Sequence, residues 1–238
     1  MSELAKRALT GAAYVALTLC AAWAGPVTSS LLFLPVCGLA AREMHRLTWG
    51  IEDQGPPVEI TVFLALATFL LIAISGIIHP FTPLRAAFGV LFVFILASVD
   101  ILFRKDPDPA KQLGALLTTI FYVALPFGII TWFLEDGAWL FIGFMLLLWT
   151  NDTGAYLAGR TFGRTKLLPH VSPKKTVEGF VGGVLLTVGV AILLSLEWKG
   201  LSMGHWIFCG VVVAFASTLG DLLESAFKRA AGVKDSGD

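Results

Sequence analysis

NDTGAYLAGRTFGRTKLLPHVSPKKTVEGFVGG, residues 151–183, holds five of the chain's 17 lysines and arginines and lies between two long apolar runs. A carboxylate, Asp152, stands at its edge, and a Ser172-Pro173 pair precedes two lysines. A basic segment held against membrane, with an acid dipping into it, suits chemistry on a phosphorylated lipid. The flanking sequence makes the membrane setting plain. The 238 residues are 56% hydrophobic and 14% charged, against about 25% charged in soluble domains, and mean hydropathy is +0.80. The chain reads as an integral membrane protein.

A helix needs about 20 apolar residues to cross the hydrocarbon. Outward from the central stretch, the sequence predicts spans at Ala138–Leu157 before it and at Gly179–Leu196 and Gly204–Leu223 after it. Five more precede these: Ala8–Trp23, Val27–Ala41, Val58–Ile78, Leu84–Phe103 and Gln112–Leu134. The first two are joined tightly through Gly25-Pro26, and a re-entrant hairpin fits them equally. The expected fold is all-α and polytopic, with about eight transmembrane helices. It forms a single transmembrane domain over 1–238, with N-terminal spans in 1–137 and the chemistry-bearing spans and loop in 138–238. Glu52-Asp53-Gln54-Gly55-Pro56-Pro57 reads as a polar loop and Asp106-Pro107-Asp108-Pro109 as a stiff turn.

Lysine and arginine near span ends stay cytoplasmic. With the N-terminus inside, that side receives fifteen of the basic residues, and the other receives only Arg85 and Lys199. Both termini and the central stretch are therefore expected on the cytoplasmic face. The cysteines, Cys20, Cys37 and Cys209, lie in apolar runs without pairing or metal spacing and read as small apolar fillers. The four histidines are scattered, which argues against zinc chemistry.

Asp152 falls about 7 Å past the middle of its span at 1.5 Å per residue. A charged aspartate at the bilayer centre costs on the order of 3 kcal/mol, so it usually faces a partner or a wet cavity. It fits either a metal or phosphate site or an interfacial helix end. Asp221 is its counterpart at the end of the last span. Asp221, Glu224, Ser225, Lys228 and Arg229 share one helical face, which is either functional or a solvated stripe closed by pairs such as Glu224–Lys228. Two carboxylates from different helices suit an oxygen-ligated Mg²⁺ that also takes substrate phosphates. Ser172-Pro173-Lys174-Lys175-Thr176 predicts a helix start with Ser172 as N-cap and Pro173 in the first turn, where free N–H groups and lysines would hold an anion. Gly179, Gly182 and Gly183 permit close approach of another helix. Gly154–Thr161 imitates a P-loop but lacks its lysine and a preceding strand.

At these residues the chain resembles the phosphatidate cytidylyltransferase (CDP-diacylglycerol synthase) family. The matching blocks are Asp152-Thr153-Gly154-Ala155-Tyr156, Ser172 to Gly179, and Gly220-Asp221-Leu222-Leu223-Glu224-Ser225 running into Ser225-x-x-Lys228-Arg229-x-x-x-x-Lys234-Asp235. They occur in the family's order over roughly the last 90 residues. The resemblance implies that CTP and phosphatidic acid become CDP-diacylglycerol and pyrophosphate with Mg²⁺, in phospholipid biosynthesis. It implies metal-holding roles for Asp152, Asp221 and Asp235, and catalytic ones for Asp152, Asp221, Lys228 and Arg229. Ser172, Lys174, Lys175, Thr176, Glu178, Ser225 and Lys234 would bind substrate. The expected setting is a bacterial inner membrane, with a homodimer as the candidate assembly and no nucleic-acid partner. In the family, a His-Gly-Gly-x-x-Asp-Arg-x-Asp segment follows Lys-Asp. Here Asp238 comes three residues after Asp235, so the resemblance implies a C-terminally truncated chain, nearly inactive until that segment is supplied. The rival readings are another lipid phosphotransferase, of the polyprenol kinase or CDP-archaeol synthase type, and a secondary transporter using intramembrane acids.

Overall fold

The computed structural model describes residues 3–50, 55–78, 83–104, 108–134, 137–198 and 200–233. The Glu52-Asp53-Gln54 part of the expected loop, the Asp106-Pro107 half of the expected turn, Lys234 and Asp235 lie outside these residues. The chain divides into two compact units, Met1–Ala138 and Trp139–Asp238.

The first unit is helical. Helices α1 (Glu3–Ala24) and α2 (Pro26–Trp49) meet at Gly25, whose φ of 109° lies in the region glycine tolerates. Pro26 then supplies a preset φ for the first turn of α2. The second helix is a full 24 residues, so the expected end at Ala41 is too early. Polar residues after Ala41 hid the continuation: His45 is buried and its Nδ1 lies 2.9 Å from the Thr61 hydroxyl. Helices α3 (Val58–Ile77) and α4 (Pro83–Arg104) follow. Leu64, Val93, Ala97, Leu116 and Ile120 form one core cluster of this unit.

The fifth expected span is not one regular helix. It runs as α5 (Pro109–Thr119), a π-helical turn at Ile120–Ala124, the short α6 (Leu125–Ile129) and a 3-10 segment at Ile130–Leu134. Asp108 caps α5, its carboxylate accepting from the Lys111 N–H at 3.0 Å. Pro126 explains the break. It removes a helix donor and its ring crowds the carbonyl four residues earlier, and a π turn just upstream relieves that crowding.

The second unit contains α7 (Trp139–Phe162), strands β1 (Lys166–Leu168) and β2 (Ser172–Thr176), α8 (Val177–Glu197) and α9 (Met203–Ala230). The strands pair antiparallel, Lys166 opposite Thr176 and Leu168 opposite Ser172. This hairpin overturns the expected Ser-Pro helix start. Thr176, not Ser172, is the N-cap of α8, with extended backbone and its hydroxyl accepting from the Gly179 N–H at 3.1 Å. The backbone of Ser172–Thr176 is committed to β1, so the helix begins only where the apolar run starts at Val177.

Glycines set the spacing of α8 against α7. A Cβ on Gly182 would stand 2.2 Å from the Ala158 methyl, and one on Gly179 would stand 2.8 Å from the Ala155 carbonyl. At the far end Trp206 is almost fully buried between Trp139 and Trp198, with ring centroids at 6.3 and 6.0 Å. Leu147, Ala191 and Val213 complete that core.

Six helical stretches among the described residues are long and apolar enough to cross a membrane: Pro26–Trp49, Val58–Ile77, Ala87–Arg104, Pro109–Leu134, Val177–Glu197 and Met203–Ala230. The expected count of eight also included α1, whose apolar part Leu9–Ala24 is shorter, and α7. The apolar first half of α7 gives way to Asn151-Asp152-Thr153-Gly154, which lowers its hydropathy. The protein is a polytopic, helical integral membrane protein.

Candidate functional site

In the second unit, α7 ends, α8 begins and α9 ends on one side, and the β1–β2 hairpin sits there. A cavity of about 420 Å³ opens among these elements. Asp152 from α7 and Asp221 from α9 both line it, as do Lys174, Lys175 and Thr176 from β2. The Lys175 ammonium donates to Asp221 Oδ2 at 3.0 Å. The Asp221 side chain in that pair is 60% exposed. A pair that wet contributes little stability, about 0–1 kcal/mol, so its consequence is positional: β2 is tied to α9 beside the acids.

A second tie lies at the root of the acids. Asn151 is buried, and its amide donates to the Ser217 hydroxyl at 2.7 Å. Asn151 precedes Asp152, and Ser217 lies one turn before Asp221, so this bond sets α7 against α9 at the level of the carboxylates. Gly183 makes room for it, since a Cβ there would meet Asn151 Oδ1 at 2.7 Å.

Five expected site residues are thus brought together: Asp152, Asp221, Lys174, Lys175 and Thr176. Others lie apart from the cavity. The Glu178 carboxylate accepts from the backbone N–H groups of Arg164 and Thr165 at 3.1 Å, fastening the α7–β1 turn to the first turn of α8. Lys228 donates to Glu224 one turn earlier on α9, and Ser172, Ser225 and Arg229 do not line the cavity. The Thr176 hydroxyl is occupied as the α8 cap.

Sequence reasoning passed over Tyr156, Arg160 and Thr218, which do line it. The signal for the first two was present. Residues 152, 156 and 160 share one face of a helix by the i, i+4 rule, so once Asp152 faced a cavity its neighbours a turn apart faced it too. Thr218 lies three residues before Asp221 on the same face of α9.

The donor set is consistent with a hard cation. Mg²⁺ is usually held by one or two carboxylates together with substrate phosphates, and Asp152 and Asp221 offer two carboxylates from facing helices. No group of three or more His, Cys, Asp or Glu side chains suited to a metal occurs among the described residues. The remaining ligands would come from substrate and water. Three cations, Arg160, Lys174 and Lys175, balance the two acids and leave the cavity net positive, which suits a polyanionic ligand.

Residues 5–238 match the sequence profile of the cytidylyltransferase family. A phosphatidate cytidylyltransferase of Staphylococcus aureus (strain COL) is 40% identical over 146 residues, which is 60% of this chain and 55% of the relative. Phosphatidate cytidylyltransferases of Staphylococcus haemolyticus (strain JCSC1435) and Staphylococcus epidermidis (strain ATCC 12228 / FDA PCI 1200) are 36% and 39% identical over the same shares. The matched region thus spans about half the length of these relatives. With a profile match running from residue 5 to the last residue, the chain belongs to the cytidylyltransferase family.

Proposed function

We propose that this protein transfers a cytidylyl group from CTP to phosphatidic acid, giving CDP-diacylglycerol and pyrophosphate. The observation that carries the reading is the meeting of Asp152 and Asp221 with Lys174 and Lys175 in one cavity beside membrane-spanning helices. The names of the relatives support the same reaction. Mg²⁺ would be held by Asp152 and Asp221, and when bound it supplies positive charge to phosphate oxygens on which negative charge builds during transfer.

The chain's own groups perform the rest. Lys174 and Lys175 bring cationic donors to the phosphates, where stabilising the developing charge lowers the barrier. The Lys175–Asp221 contact holds Lys175 in place before substrate arrives and keeps Asp221 facing the cavity. Asn151 and Ser217 keep the two acids opposed. The lipid phosphate oxygen attacks the α-phosphorus of CTP, a new P–O bond forms, and the α–β bond breaks with its electron pair leaving on pyrophosphate. Phosphatidic acid is already ionised at neutral pH, so this scheme requires no general base.

The lipid presents its phosphate at headgroup depth and CTP comes from the cytosol. We therefore assign the site to the cytoplasmic face of a bacterial inner membrane; the fifteen-to-two charge bias supports the choice of face. The test is to supply membranes carrying the protein with CTP, phosphatidic acid and Mg²⁺ and to assay cytidine-containing lipid. Formation that depends on all three supports the reaction. Its absence from membranes in which the protein, extended by the His-Gly-Gly-x-x-Asp-Arg-x-Asp segment that the resemblance calls for, is present and folded would exclude it.

A further inference from the structure

Arg160 and Tyr156 occupy the part of the cavity to which the scheme above gives no task. Both line it, and one guanidinium N–H of Arg160 donates to the Tyr156 hydroxyl at 3.1 Å. That contact steadies the guanidinium but uses one of its five donors. Arg160 and Lys174 have no carboxylate partner among the described residues, whereas Lys175 is matched by Asp221. The cavity therefore holds two cations without a carboxylate partner, Arg160 and Lys174, beside the matched Lys175–Asp221 pair.

The α7 wall of the cavity has a direction. Arg160 is eight residues beyond Asp152 on the same helix face, about 12 Å further along the axis at 1.5 Å per residue. It is two residues from the helix end at Phe162, so Arg160 lies on the outward side and Asp152 on the inward side. A lipid phosphate is tethered to the bilayer and approaches from the inward side. The nucleotide comes from water, and its leaving group returns to water. An in-line transfer at the acids sends the departing pyrophosphate away from the lipid and toward Arg160. Planar guanidinium matches phosphate oxygens with paired N–H bonds, which a lysine point charge does not.

We infer that Arg160, steadied by Tyr156 and assisted by Lys174, forms the subsite for the β- and γ-phosphates of the nucleotide and for the pyrophosphate they become. The inference rests on the proposed reaction for its direction, yet pyrophosphate binding can be read without turnover.

The experiment measures binding of inorganic pyrophosphate with Mg²⁺ to the detergent-solubilised protein, alongside steady-state KM values for CTP and phosphatidic acid. Arg160 is exposed, so Arg160→Ala is expected to fold, and an unchanged thermal midpoint checks this. The variant should bind pyrophosphate at least about tenfold more weakly, the usual scale for losing charge-assisted hydrogen bonds. KM for CTP should rise with it while KM for phosphatidic acid stays put. Arg160→Lys should fall between, and Tyr156→Phe should weaken binding less than Arg160→Ala. A rise in KM for phosphatidic acid with pyrophosphate affinity intact would assign Arg160 to the lipid phosphate and overturn the subsite. Unchanged values in all three measurements would also overturn it. Arg160-dependent pyrophosphate binding by a protein that makes no cytidine lipid even when extended by the His-Gly-Gly-x-x-Asp-Arg-x-Asp segment would sink the proposed reaction while the subsite stood.

Discussion

Asp221 meets two demands at once: it faces the cavity with Asp152 and it anchors Lys175 at 3.0 Å. Replacing it with Asn keeps the shape and removes the charge. Asp221→Asn and Asp152→Asn should each lower the rate of cytidine-lipid formation by about 100-fold or more, with a raised Mg²⁺ requirement in any residual activity, because a lost metal ligand forfeits several kcal/mol of charge stabilisation. Initial rates across a Mg²⁺ titration check this, and near-normal rates in both would reduce the acids to helix-end residues. Glu178→Gln should behave differently. Its partners are the Arg164 and Thr165 N–H groups, and a Gln carbonyl still accepts from them, so the rate should stay within about threefold, equivalent to about 0.65 kcal/mol. The acids and both lysines were legible in the sequence because residue type and span position together restrict their uses. Arg160 and Tyr156 were equally legible in principle, because they follow Asp152 on α7 at i+8 and i+4. The resemblance implies catalytic roles for Lys228 and Arg229; neither lines the cavity, and Glu224 one turn away holds Lys228.

Among the elements, α8 shows both what patterning reveals and what it hides. Its glycines marked a close helix contact from sequence alone, and Gly182 does face Ala158 with no space for a methyl. Gly182→Ala should destabilise the protein by about 1–3 kcal/mol, the common cost of overpacking, and lower its thermal midpoint in detergent. Gly189 lies on the same helix with nothing within 4 Å of a built Cβ. Gly189→Ala should leave the midpoint unchanged or raise it, since alanine is the better helix former. A fall of equal size in both would mean the α7–α8 approach is not what the glycines serve. The start of α8 is ambiguous in sequence because Ser-Pro and Thr-Val-Glu-Gly both look like caps, and only pairing with Lys166–Leu168, three residues long with one of them charged, decides between them. Strands so short and so charged leave no alternation to read. The π turn before Pro126 was hidden likewise, because a uniformly apolar run has no phase in which an extra residue would show.

At the scale of the whole molecule, apolar length announced a polytopic membrane protein, while the count depended on α1 and α7, whose apolar runs are short or half polar. The 21 residues of α8 rise about 31 Å, enough to cross the hydrocarbon, so the hairpin and the α8–α9 turn lie on opposite faces. His170 in the hairpin turn and Gly204 at the start of α9 are both exposed. In a background lacking Cys20, Cys37 and Cys209, His170→Cys should resist a membrane-impermeant thiol reagent in intact cells, while Gly204→Cys should react. The opposite pattern would invert the orientation and put the cavity on the wrong side for CTP.

The central claim is that the cavity transfers the nucleotide's α-phosphorus to a lipid phosphate. The most direct measurement supplies membranes carrying the protein with phosphatidic acid and with CTP labelled at either its α- or its γ-phosphorus, then follows each label. The account predicts α-label in the lipid, γ-label in water-soluble pyrophosphate, and neither transfer in the Asp152→Asn, Asp221→Asn double variant. Lipid carrying the γ-label would reveal a kinase and contradict the account.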